Sequence, residues 1–155
     1  MISKIQLREN AWEALRSART LAAGRHWVGA TDRAGLAVEL ILKARVCADE
    51  NRAGFPEDIK EAKAMGCIDL ISHQLEFLLN RTKAVIPVKS NVNNEWAACV
   101  HWSPSTKYQP MGSATEKSAD VMIRSADAIL RAIEAEPGLE AVIVAATDNL
   151  SLIHI

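Results

Sequence analysis

The chain lacks several features that would narrow its function at once. It has no charge bias: 18 lysines and arginines stand against 19 aspartates and glutamates, a net charge of −1 at pH 7. Such a balance gives no global attraction to nucleic acid or to an anionic membrane, so a positive surface has to come from local clustering or from assembly. It has no cysteine framework either. Cys47, Cys67 and Cys99 are an odd number without close spacing, which argues against a disulfide scaffold and against a zinc site. Each lies in an apolar stretch and reads as a buried free thiol of a reducing cytoplasm. No carboxylate or His/Cys cluster has metal-ligand spacing, so neither a metal nor another cofactor is expected. The N-terminus, MISKIQLREN, has no apolar core of signal-peptide length, and no run reaches transmembrane length. A cytoplasmic protein without a membrane partner is the expectation. Repeats and low-complexity segments are absent too.

What is present is one domain of helix. The 155 residues, 49% hydrophobic and 24% charged, are enough to bury a real core. The first helix is predicted over 5–23, where Ala11, Trp12, Leu15 and Ala18 recur at helical spacing and Gly24 follows as a stop. After a turn at Gly29, a second helix is expected over 31–51, capped by Thr31 or Asp32. It is apolar on nearly every side, with Leu36, Leu40 and Ile41 on its broadest face, so it is the expected hub of a bundle. Gly35 within it points to a close approach by a neighbouring helix. Pro56 opens a third helical region that Gly66 interrupts and 69–81 resumes. Residues 82–93, around Pro87, read as an extended crossing. Asn93 or Asn94 caps a short helix through Trp96 to about His101, and Ser113 with Glu116 forms a capping box for the last helix. That helix carries the stripe Ala119, Met122, Ala126, Ile129, Leu130, Ile133 and ends at Pro137-Gly138. The expected fold is all-α, a bundle of about five helices over 1–138, with a tail over 139–155 open to a short strand or another helix.

Three segments in order carry a family resemblance. A Gly-x-His turn (Gly24 to His26) before RAGLAVELILKA, then SHQLEFLL, then EWAACVHWSPSTKYQP, resemble the HEPN superfamily (higher eukaryote and prokaryote nucleotide-binding) over roughly residues 8–135. The resemblance implies a four- or five-helix bundle that dimerises, in many members a metal-independent ribonuclease of toxin or defence systems. A cognate antitoxin or nucleotidyltransferase partner belongs to the same expectation. In that family a His works as acid or base on a ribose 2′-hydroxyl, and an Arg that precedes it with four to six residues between them stabilises the phosphate charge. His101 stands in the corresponding late segment, but positions 94 and 96 are Asn and Trp. Lys107, before Tyr108, supplies a charge without a bidentate fork.

The candidate catalytic residues are therefore His101, Lys107 and Tyr108, with Trp96, Trp102, His73, Glu39 and Arg33 as candidate binding residues. For Trp96 and Trp102 two readings stand side by side: a platform that stacks a base, or a pair of anchors holding an irregular loop to the core. One of the two is expected in the core and the other exposed. Glu39 is most simply an i,i+4 partner of Lys43; the sharper reading makes it a buried carboxylate that orients His73. RNA or a nucleotide is the expected ligand and a homodimer the expected assembly. A non-catalytic binding module and a structural dimerisation domain are the alternatives.

Overall fold

The computed structural model describes residues 1–139, so the strand-or-helix question for the tail falls, beyond Leu139, outside the described residues. Among the described residues the chain is mostly helix. Three long helices, α1 (Lys4–Ala23), α2 (Trp27–Asp49) and α7 (Glu116–Glu134), are joined by four short ones: α3 (Ile59–Ala64), α4 (Leu75–Asn80), α5 (Val85–Asn91) and α6 (Asn93–Cys99). Two 3₁₀ turns, Ile68–Leu70 and Pro104–Tyr108, complete the helical set. A small antiparallel ribbon pairs β1 (Ile2–Ser3) with β2 (Gly54–Phe55). No described helix is long and apolar enough to cross a membrane.

Helix α1 starts because the Ser3 side chain accepts the Gln6 amide at 3.1 Å. It buries Leu7, Ala11, Leu15 and Ala18 against α2; the alanines let the two backbones run close. The turn out of α1 comes earlier than Gly29. The amide of Arg25 reaches the Ala22 carbonyl and that of His26 the Leu21 carbonyl, at 3.0 and 2.8 Å. This is the paired closure of a Schellman motif. Arg25 takes the left-handed position at φ 65°, and α2 follows at once, with Gly29 inside it and His26 as its N-cap.

Helix α2 is the hub, though its faces differ from the expected ones. Ala34, Ala37, Val38, Ile41, Leu42, Ala44 and Val46 are fully buried, whereas Leu36 and Leu40 are only partly so. Two charged residues take the buried places instead, Glu39 and Arg45, which is possible because both have charged or hydrogen-bonding partners. Arg45 donates from Nε and Nη2 to Asp49 and from Nη1 and Nη2 to the carbonyls of Glu136 and Pro137, all within 3.0 Å. It thereby fastens the chain leaving α7 to the hub.

The expected extended crossing at 82–93 is helix α5. Pro87 is its third residue, and an amide there has no intrahelical partner to lose. Helix α7 begins one residue after Thr115, which forms the capping box with Ser118; Ser113 instead donates to the Pro110 carbonyl. Its stripe, from Ala119 to Ile133, is buried as expected. The three cysteines are free and buried. Burial pushes the Cys47 thiol up to about 11 and that of Cys99 to about 12, so both stay protonated and inert at neutral pH.

Candidate functional site

Four residues at helical spacing, Asp32, Gly35, Glu39 and Lys43, make one stripe along α2. Both regions with chemistry lie on it.

The first is built on Glu39. Its side chain is 4% exposed, and one of its oxygens takes two partners, Lys43 Nζ at 2.6 Å and His73 Nδ1 at 3.0 Å. Lys43 comes from the next turn of α2 and is held over the Phe55 ring, 5.0 Å from its centre. His73 comes from the irregular stretch between the first 3₁₀ turn and α4, not from a continuous helix over 69–81. Its side chain is 59% exposed. A carboxylate only accepts, so Nδ1 is the donor in this contact, and in the neutral ring the lone pair is on Nε2. No protein group among the described residues bonds Nε2. A hydrogen-bonded carboxylate behind an imidazole whose second nitrogen is open is the arrangement of a general base with its orienting group. Beside it runs a groove of about 470 Å³ walled by Pro56, Glu57, Asp58, Ile59 and Lys60 on one side and Ile71 to His73 on the other, with Lys43 between them.

The second region surrounds the start of α2. Trp102 is 8% exposed, and its ring lies on Gly35 so closely that a β-carbon there would sit 2.2 Å from the indole. The close approach expected at Gly35 is therefore made by this ring and not by a helix. The Trp102 indole N–H is buried without a well-formed hydrogen bond, although it bears on the Asp32 carboxylate. Burial pushes the Asp32 carboxyl up, against the pull of Arg33, the Trp102 N–H and Lys107. Arg33, Trp102 and Lys107 are thus brought together around Asp32, which the sequence offered only as a helix cap. Lys107 also lies over the Tyr108 ring, 5.4 Å from its centre, and Tyr108 is 79% exposed.

Trp96 is buried as well, at 2%. Its indole N–H donates to Glu76 at 2.9 Å, and Lys89 bonds the same carboxylate. That indole bond, helped by Lys89, holds the Glu76 carboxyl below its ordinary value. Neither tryptophan stands out as an exposed platform, because the Trp102 ring lies on Gly35 and the Trp96 ring is 2% exposed. His101 is exposed just beyond α6, and no carboxylate among the described residues bonds it. Among the described residues no group of three or more His, Cys, Asp or Glu could hold a metal ion.

No family model, curated protein or solved structure matches this chain. Sequence separation explains what was missed in the groove. The Glu39–Lys43 contact is local and legible, whereas Asp58, Lys60 and Ser72 come to the groove from segments far along the chain, after the β1–β2 ribbon and in the break before α4. A polar Ser-His pair just ahead of LEFLL was the one available signal.

Proposed function

We propose that the chain is a HEPN-like helical module of RNA- or nucleotide-linked conflict, and that the Glu39–His73 pair is its acid–base centre. The observation that carries this is the buried carboxylate fixed 3.0 Å from Nδ1 of an exposed imidazole at the edge of a groove. His73 Nε2 takes the proton of a ribose 2′-hydroxyl. The oxygen attacks the adjacent phosphorus, the bond to the 5′-oxygen breaks, and the proton returns to that leaving oxygen. The products are a 2′,3′-cyclic phosphate and a 5′-hydroxyl, with no metal in the balance. His101 lacks an orienting group, so Lys107, Tyr108 and Arg33 serve as outlying contacts and not as the reacting set. Toxin or defence work, with a cognate antitoxin or nucleotidyltransferase, comes from the resemblance.

The groove lining holds no arginine, and that favours a second reading, a module that binds the same ligand without cutting it. An RNA cleavage assay in EDTA separates the two. Wild type is expected to cut, His73→Ala to lose about 10²-fold or more, and His101→Ala to keep its rate. Equal rates for wild type and His73→Ala remove the dyad; no cleavage of several RNAs leaves the binding module.

The same resemblance brings a homodimer with it, and a net charge of −1 offers little repulsion against one. Light scattering is expected to give twice the chain mass at micromolar concentration; a monomer alone counts against this assembly.

A further inference from the structure

The groove beside His73 has a charge pattern that narrows its ligand. Its walls hold two ammonium groups, Lys43 and Lys60, and two carboxylates, Glu57 and Asp58. A long polyanion gains little from such a wall, since each phosphate that meets a lysine also meets a carboxylate. A single phosphate fares differently. Lys43 shares one Glu39 oxygen with His73, so it can turn to a phosphate without stranding the buried carboxylate, which keeps His73. Asp58 uses Oδ1 to cap α3 through the Glu61 amide at 2.7 Å, and no group among the described residues bonds its other oxygen, which can accept from a ribose hydroxyl. Ile59, 54% exposed, and Ile71 supply apolar surface for a base. A volume of about 470 Å³ lies in the range of pockets for one small ligand.

Accepting that this groove is the functional site, we infer that it takes one nucleotide bearing one phosphate, free or at the end of a strand. Lys43 is the cation that holds the phosphate, in the role for which an arginine is missing. Calorimetry on the full chain in EDTA tests this with 5′-AMP, adenosine, inorganic phosphate and a short RNA carrying either a 5′-phosphate or a 5′-hydroxyl. AMP is expected to bind wild type about 10-fold or more tightly than adenosine, the size of one charge-assisted contact. Lys43→Gln, which keeps a hydrogen-bond donor for Glu39 but not the charge, is expected to erase that difference. The phosphorylated RNA matches AMP if the ligand is a strand end and binds more weakly if it is a free nucleotide.

Equal binding of AMP and adenosine by wild type overturns the inference without any variant. So does inorganic phosphate binding as tightly as AMP, or the 5′-hydroxyl RNA binding more tightly than AMP, because internal phosphates are then the ligand. A protein that binds AMP through Lys43 yet cuts no RNA keeps this inference and loses the cleavage reading. One that cuts RNA through His73 without telling AMP from adenosine does the reverse.

Discussion

At position 35 a β-carbon would lie 2.2 Å from both Cδ1 and Cγ of Trp102. Alanine is otherwise the better helix former by about 1 kcal/mol, so the site sets propensity against packing. Packing wins, because the ring is buried and cannot swing into solvent, and overfilling a packed core costs about 1–3 kcal/mol. Gly35→Ala is expected to lower the thermal midpoint and to shift the tryptophan emission as Trp102 is displaced. In a Trp102→Ala background the same change is expected to raise the midpoint. A stabilising Gly35→Ala in the native background would show that the ring has room to spare. The unusual glycine was legible in the sequence because a helix tolerates few of them. The identity of its neighbour was not, because the indole arrives from a loop far along the chain. Glu39 follows the same logic: its local partner Lys43 could be read from spacing, its distant partner His73 only guessed.

Among the elements, the long helices were legible and the short ones were not. Helix α7 announces itself by an apolar stripe that repeats over many turns, and α1 does so nearly as well. Helices α3 to α6 span only six or seven residues each, too few to establish a period. Pro87 made α5 look extended, although a proline in a first turn removes no hydrogen bond. In α2 the difficulty was the opposite. A helix apolar almost all round gives no stripe, so which leucines face inward is decided by its neighbours. Leu42 is fully buried and Leu40 only partly. Leu42→Ala is therefore expected to cost about 2–5 kcal/mol and Leu40→Ala clearly less, by chemical denaturation. Equal losses would mean that α2 is rotated from the orientation described.

For the molecule as a whole, stability against acid rests on carboxylates that tie separate elements together. Asp49, at the end of α2, binds Arg45, itself fastened to residues 136 and 137, and accepts the Lys83 amide at 2.7 Å just before α5. Both side chains of the Arg45–Asp49 pair are 5% exposed. Burial alone would push the Asp49 carboxyl up, but Arg45 and the Lys83 amide outweigh it and hold the group below its ordinary 3.8. Glu50 behaves alike: burial is outweighed by Arg81 and Arg52. A carboxyl lowered on folding stabilises the fold above its unfolded value, and that contribution is lost as pH falls through the folded value. Asp32, raised by burial, works in the opposite sense, costing stability as pH rises past its ordinary value, but it joins fewer elements. The thermal midpoint is therefore expected to fall steeply as pH is taken from about 5 to about 3. Asp49→Asn removes the charge that fixes Arg45, and breaking a buried pair costs about 3–5 kcal/mol, so its midpoint at neutral pH lies well below that of wild type. Its fall between the same two pH values is expected to be shallower, since the group that titrates is gone. Parallel acid limbs for the two proteins would move the source of acid sensitivity away from Asp49, to Glu50 and Glu76.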